Sequence, residues 1–423
     1  MKLLFVTPQL PFPPKSGGAI RSSNIILSVS KERQAKVFSL GSFKSHQTIS
    51  SSGSYDIEAR SFPVISRSAK RRALDLITKN VPDMALRLYS PALARAVEDA
   101  IEGEGFDLVQ IEGLESAPSL ANVISKRNRP PIVYDTFNAE YQLQKRAFQT
   151  DSRNPSRWAA ALYSLVQWQR LASYEKWLCN AVDAVTVVSK EDKEAILTLA
   201  PEAKVTVVPS GVDIERYTPE RSKPVGAGSP HPGSLHPYQR EQKNILFTGT
   251  MDYRPNIDAM KWFCAEIFPV VLQQMPDAHL WIVGRDPAPV IKRLAGPNVT
   301  VTGEVEDDLP YFHRTNIFVL PMRYGGGVRL KLLQAMSCGL PVVSTPAGLE
   351  GVSVRDGENV VTANNSKEFA NKVVQALENP ELAGSIGMNA RKKVEESYSW
   401  ESVLKPLQGL YDSLLTERPN KSS

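Results

Sequence analysis

The chain has 423 residues, of which 42% are hydrophobic and 22% charged, with a formal net charge of +5. That length exceeds what one continuous hydrophobic core sustains, so two domains of about 200 residues each are expected, and the ordinary composition argues against long disorder. The charge is local, since residues 1–100 carry 15 Lys and Arg against 7 Asp and Glu in the 50 and 45 of the whole chain, and no basic stripe with interleaved aromatics points to a nucleic-acid partner.

In chain order, β-branched runs alternate with helix-period segments. Strands are expected at 2–7, 35–39, 107–111, 131–135, 184–188 and 205–208, and alternation of this kind predicts a parallel sheet. The first strand leads into Pro8–Arg21, where Gly17 and Gly18 precede a helix and let a phosphate or sugar approach the backbone; a plain turn is the other reading. The densest basic run, Arg67, Lys70, Arg71 and Arg72, reads either as a solvated loop or as a face for anionic headgroups or a phosphorylated acceptor. A long helix is expected over 157–178, its aromatic stripe serving as core. Between Pro219 and Lys243, Pro, Gly and Ser punctuate almost every third position and no apolar period survives, which marks a linker.

Beyond the linker the alternation restarts, with strands at 244–248, 279–284, 299–301, 316–320, 340–344 and 359–361 and helices near 256–275 and 327–338. Helical patterns at 366–378, 380–395 and 399–416 outlast the last strand. The fourth strand of this half ends at Tyr324-Gly325-Gly326-Gly327-Val328-Arg329-Leu330-Lys331. Three glycines before a helix cost conformational entropy, which favours a functional reason. Exposed N–H groups with Arg329 and Lys331 beside them make a diphosphate cradle that needs no metal; ordinary surface charge is the other reading of the two side chains.

Cys179, Cys264 and Cys338 lack the spacing of a disulfide framework or zinc site and predict a reducing cytosol, and the five scattered histidines predict no metal. The apolar stretch at Met1–Thr7 is too short for a signal peptide and no run of about 18 apolar residues follows, so no transmembrane span is expected. The expected location is cytoplasmic, with peripheral contact at the inner membrane face if the basic run meets lipid. The sequence has no Gly-x-Gly-x-x-Gly after the N-terminal strand, no P-loop and no Gly-x-Ser-x-Gly elbow.

Two further segments carry a resemblance. Pro209-Ser210-Gly211-Val212-Asp213 with Tyr217, and Gln334-Ala335-Met336-Ser337-Cys338-Gly339-Leu340-Pro341-Val342-Val343, are similar to signatures of family 4 retaining glycosyltransferases of the GT-B fold. The glycine triplet, Met251-Asp252-Tyr253 with Asn256 and Asp258, and Asn138-Ala139-Glu140 resemble a subgroup linked to bacterial polysaccharide or exopolysaccharide assembly. The resemblance implies an α/β fold of two facing Rossmann-like domains: an acceptor-binding domain at 1–218, the linker at 219–243, a nucleotide-sugar domain at 244–397, and a helix at 398–416 crossing back to the first.

It also implies transfer of a sugar from a nucleotide-diphosphate sugar, a co-substrate and not a cofactor, to a hydroxyl of a glycan or lipid-linked saccharide, with retention and without metal. The implied donor-binding residues are Gly17, Gly18, Gly249, Gly325, Gly326, Gly327, Val328, Arg329, Lys331 and Gln334. Arg21, Asn138 and Glu140 are the implied acceptor contacts, and Arg329 and Lys331, with Glu112 as base or structural carboxylate, the catalytic candidates. The chain departs from the family where two glutamates eight positions apart become Gly326 and Gln334, and where Thr250 and Asn256 replace an Arg and a Lys. A GT-B epimerase and a catalytically weakened binding module are the alternatives.

Overall fold

A computed structural model describes residues 1–14, 16–41, 47–51, 55–65, 67–152, 155–219, 243–325 and 329–416. The linker expected at 219–243, apart from its two ends, lies outside them, as do Gly326, Gly327 and Val328. Two compact units emerge: Met1–Pro209 together with the chain from Val403 on, and Ser210–Ser402.

The first unit holds an eight-stranded sheet. Its strands are β1 (Lys2–Thr7), β2 (Gln34–Leu40), β3 (Gln47–Ser51), β4 (Tyr55–Phe62), β5 (Leu108–Glu112), β6 (Ile132–Thr136), β7 (Ala184–Val187) and β8 (Val205–Val207), in the order β3-β4-β2-β1-β5-β6-β7-β8. Only β3 runs antiparallel to its neighbour. Strands β1, β5, β6 and β7 are buried almost end to end, the signature of a parallel sheet covered on both faces. Strand order reverses direction between β1 and β5, so the loops leaving their carboxyl ends diverge there.

The second unit holds a six-stranded, all-parallel sheet of β9 (Lys243–Thr248), β10 (Ala278–Val283), β11 (Val299–Gly303), β12 (Ile317–Leu320), β13 (Val342–Ser344) and β14 (Val361–Thr362). Its order, β11-β10-β9-β12-β13-β14, is the doubly wound arrangement in which the switch point lies between the first and fourth strands, β9 and β12. The helix expected near 256–275 runs from Arg254 to Gln274 but carries a π-turn at Phe263–Ile267. Pro269, which has no N–H to donate and whose ring crowds the preceding turn, accounts for the shift in the ladder.

Two expectations change. The segment Ser210–Pro219 groups with the second unit and not the first, because the buried Arg391 guanidinium, on helix Pro380–Ser397, donates to the carbonyls of Ile214 (3.0 Å), Tyr217 (2.7 Å) and Ser337 (2.8 Å). The aromatic stripe of helix Trp158–Ala181 is not all core: Trp158, Tyr163 and Trp177 are exposed, while Trp168 stacks on Phe148 and Tyr174 lies beside Trp177.

Helix Pro380–Ser397 lies so close to the end of helix Leu330–Ser337 that a Cβ at Gly387 would stand 2.1 Å from the Gly339 carbonyl oxygen. Gly387→Ala is therefore expected to cost about 1–3 kcal/mol of stability by overpacking, measurable as a lower denaturant midpoint with an unchanged slope.

Candidate functional site

At the switch point of the second unit, β9 ends at Gly249 (φ 146°) and the loop after β12 reaches Gly325 (φ 141°). Both backbone conformations are ones that L side chains rarely adopt, and the space confirms the need for glycine. A Cβ on Gly249 would lie 2.7 Å from Lys331 Nζ and 2.8 Å from Asn256 Nδ2; one on Gly325 would lie 2.3 Å from Arg329 Nη2. The two turns thus close around two cations. Neighbouring β10 ends in Gly284 (φ 148°), and a Cβ there would overlap the Gly249 carbonyl oxygen at 1.8 Å, so Gly284 is what lets the Gly249 turn settle. Residues 249 and 284 occupy equivalent strand ends, a pairing visible in the sequence once the register of β9 and β10 is known.

Arg329 caps helix Leu330–Ser337 and is 8% exposed; Lys331 sits in its first turn. Lys331 Nζ donates to Asn256 Oδ1 (2.8 Å) and stands 4.0 Å from the centroid of the Phe247 ring. Asn256 is held in turn by its amide, which donates to the Thr250 carbonyl (2.8 Å). Burial, and then the Arg329 cation, push the Lys331 ammonium well below the usual lysine range. Arg323, just before the triplet, is already committed to Asp258 through a bidentate pair (2.8 and 2.5 Å). One helical turn beyond Lys331, the Gln334 amide donates to the Tyr217 hydroxyl (2.8 Å). The structure therefore brings together Gly249, Gly325, Arg329, Lys331 and Gln334 with Asn256, which the resemblance had marked as a departure, and adds Phe247, Gly284 and Tyr217, which the sequence reading had not placed there.

In the first unit, Gly17 and Gly18 form the first turn of helix Gly17–Ser30 and do not precede it; Ser16 caps it, accepting from the Ala19 N–H (3.2 Å). Gly18 packs against Phe137 and Gln9, and Gly113 (φ 72°) against Phe137, Glu115 and Pro8, so the ends of β1, β5 and β6 meet around one aromatic ring. Two expected site residues are corrected here. Arg21 is 1% exposed and makes a bidentate pair with fully buried Asp135 (2.7 Å for each bond), so it is a core cation and not an acceptor contact. Glu112 is likewise wholly enclosed, accepting from Ser22 Oγ (2.8 Å) and Gln110 Nε2 (2.6 Å) while Tyr411, on helix Trp400–Thr416, donates to Gln110. It does not point into a cleft. Burial, then the Asp135 carboxylate, push it up to about 8.

Asn138 and Glu140 stay partly accessible at the start of helix Glu140–Asp151, whose first N–H groups, those of Glu140 and Tyr141, donate to the buried Glu175 carboxylate (3.1 and 2.7 Å). Burial, then Glu115 and Glu175, raise the Glu140 carboxyl well above the usual range. The basic run is largely neutralised: Arg67 pairs with Asp75 and Asp83, Arg71 with Asp75 and Arg72 with Asp83. No helix among the described residues is long and apolar enough to cross a membrane.

The family model described as Glycosyltransferase Family 4 matches residues 54–216, and that described as Glycosyl transferases group 1 matches residues 242–379. The chain belongs to the family 4 glycosyltransferases. Among curated relatives, a 44.6 kDa protein in the cps region of Klebsiella pneumoniae is 29% identical over 41% of this chain and 47% of its own length. The capsular polysaccharide biosynthesis glycosyltransferase CapM of Staphylococcus aureus is 22% identical over 56% and 63%. The matched region thus spans between about half and two thirds of these relatives' length. Among solved structures, sucrose-phosphate synthase from Thermosynechococcus elongatus superposes with a TM-score of 0.71 at 16% identity, covering 99% of this chain and 100% of that one. Anabaena HepE in complex with UDP-glucose gives 0.62 at 16% identity, covering 98% and 100%. The two Rossmann-like units are those of the GT-B fold.

Glu112 yields a stability prediction. Its folded-state pKa is raised above the carboxylate value of 4.5, so the stability it contributes is present below that value and is lost as pH rises toward about 8. The wild-type melting temperature should fall across that window, and Glu112→Gln should flatten the fall; an identical pH profile for the variant contradicts the burial argument.

Proposed function

We propose that the protein transfers a sugar from a nucleotide-diphosphate sugar to a hydroxyl of a glycan or lipid-linked saccharide, with retention at the anomeric carbon. The observation that carries this reading is the meeting of Gly249, Gly325, Arg329 and Lys331 at the β9/β12 switch point, where open α/β sheets take their ligands. Lys331 is a half-buried cation whose partners among the described residues are an amide and a ring, both neutral, so a diphosphate is the anion that complements it. As the bond between the anomeric carbon and the diphosphate breaks, negative charge grows on the leaving group. Cations and N–H groups already fixed in place stabilise that charge more than they stabilise the bound donor, which is what lowers the barrier.

The acceptor reading puts Asn138 and Glu140 toward the saccharide, near the Phe137 ring. Polysaccharide assembly as the setting is supported by the name of the Staphylococcus relative. Peripheral membrane contact, with a cytoplasmic location, now rests less on the paired arginines than on exposed Trp158 and Leu162, one turn apart on their helix. The epimerase alternative draws no support from the family matches. A weakened binding module differs from the enzyme in one respect, turnover.

Incubation with UDP-, GDP- and ADP-sugars is expected to release nucleotide from one of them, faster with an accepted saccharide; binding without release in every case selects the binding module. Arg329→Met with Lys331→Met, which keeps the stem of Lys331 against Phe247, should weaken nucleotide binding by about 100-fold or more, two charge-assisted contacts being lost, with the melting temperature unchanged. Unaltered affinity places the diphosphate elsewhere.

A further inference from the structure

Arg72, from the basic run, lines one pocket of the first unit together with Tyr163, Gln167 and Arg170 of helix Trp158–Ala181. Spacings of four and three residues put the last three on one face of their helix. The pocket measures about 200 Å³, below the roughly 300–1,000 Å³ that take a drug-sized ligand, so it admits one small unit. Its acceptors are occupied, while donors are left over. The Asp83 carboxylate receives Arg67 Nη2 at 2.7 Å, Arg72 Nη2 at 2.9 Å and the Tyr163 hydroxyl at 3.4 Å, and Asp75 is met by Arg67, Arg71 and Lys79. Four cations thus surround two carboxylates. Arg170 is a fifth, and it gives Nη2 to the Leu76 carbonyl at 2.7 Å, not to a carboxylate.

Gln167 is 3% exposed. Its Oε1 accepts from the Asp83 N–H at 2.8 Å, and because a backbone N–H only donates, that bond fixes which way the amide is turned. Nε2 is then buried without a partner among the described residues. An enclosed amide donor left unmatched is costly, so Gln167 adds a demand for an acceptor to the excess of positive charge. Helix Asp83–Arg87 joins this pocket to the edge around Phe137. Asp83 begins it at the pocket, and four residues on, about 6 Å along the axis, Arg87 pairs at 2.7 Å with Glu115, whose carboxylate sits with the Phe137 ring beside Gly113.

We propose that the pocket between Arg72, Tyr163, Gln167 and Arg170 is a separate saccharide subsite, one that takes a sugar bearing a single phosphate or carboxylate group, and that it holds an anionic unit of the acceptor. Its service to the acceptor rests on the reading of Asn138 and Glu140 as acceptor contacts; the binding of the anion does not. The anion accepts from Gln167 Nε2 and from the guanidinium groups of Arg170 and Arg72, whose planar forks match phosphate and carboxylate alike. The Tyr163 ring and the Leu86 side chain border the sugar. The basic run thereby gains a role beyond its ion pairs, since those pairs hold Arg72 at the rim.

The test is ligand-observed NMR titration of the full chain, without nucleotide, with glucose 6-phosphate, glucuronate, glucose and inorganic phosphate. The two charged sugars should bind about 10-fold or more tighter than glucose, the worth of charge-assisted contacts, and glucose 6-phosphate tighter than inorganic phosphate. Gln167→Glu keeps one oxygen for the Asp83 N–H and puts a second, charged oxygen where the donor stood, so it should weaken both charged sugars by about 10-fold or more. Arg72→Gln, at the half-exposed rim, should weaken them by a smaller factor and carries the test if the variant at 167 does not melt cooperatively. Glucose bound as tightly as the charged sugars, inorganic phosphate bound as tightly as glucose 6-phosphate, or affinities unchanged in the folded variants overturns the subsite. Binding to anionic phospholipid vesicles that Arg72→Gln abolishes, with no sugar bound, assigns the arginines to a membrane and overturns it as well. The donor reading is judged apart, by nucleoside diphosphate binding to the wild type.

Discussion

Lys331 is a half-buried cation whose contacts among the described residues are neutral, the Asn256 amide oxygen at 2.8 Å and the face of Phe247 at 4.0 Å, with the Arg329 cation acting on it as well. A partly desolvated charge is costly unless paired, and none of the described contacts of Lys331 is with an anion, which is the basis for proposing a diphosphate there. Much else in the second unit follows from holding that ammonium in place. Position 249 favours glycine through its φ of 146°, with Lys331 Nζ close by, and Gly284 must be glycine because the Gly249 backbone occupies the space of a side chain there. Asn256 is fixed by the carbonyl of Thr250, so these two positions, basic in the family the sequence resembles, put neutral groups beside Lys331 and leave Arg329 as its neighbouring cation.

The first unit solves a different problem with similar materials. Glu112 and Asp135, on neighbouring strands, and Arg21, on helix Gly17–Ser30, are polar groups turned into the core, where Ser22, Gln110, Thr186 and Tyr411 extend the network and only Arg21 Nη1 among their described atoms lacks a hydrogen-bond partner. The C-terminal helix is joined to this network through Tyr411, which accounts for why the chain from Val403 on groups with the first unit. Polar groups so enclosed specify one arrangement of helix and sheet when fully satisfied and penalise every other. Phe137, Asn138 and Glu140, by contrast, stay partly accessible.

Most of the parallel strands were legible because the central ones are short apolar runs buried on both faces, and the ends of those that were read fell within a residue or two. Strands β3 and β4 were not, since an edge hairpin with polar residues such as those of Tyr55–Phe62 lacks that continuous apolar signal. Helix Pro91–Glu104 carried its own start and stop, with Ser90 as cap, Pro91 in the first turn and left-handed Gly105 after the end, and was readable in retrospect. At the site, Gly325, Arg329 and Lys331 could be read from one contiguous stretch. Burial is what residue type does not disclose: Arg21 and Glu112 look like ligands at strand ends, and only the closing of helix Gly17–Ser30 and Tyr411 over them shows otherwise. The Asp308–Tyr217–Gln334 chain joins residues 91 and 117 positions apart, beyond any local pattern.

The protonation of Lys331 is the decisive quantity. Calorimetry of nucleoside diphosphate binding at about pH 9, in two buffers of different ionisation enthalpy, reads the protons exchanged on binding while the phosphates are already fully ionised. The wild-type protein should take up protons because a bound diphosphate offsets the burial and the Arg329 repulsion that lower the proton affinity of Lys331, and Lys331→Met should bind without uptake. Binding with no proton exchange, or uptake that survives in Lys331→Met, would contradict the picture of a lysine that waits for its anion.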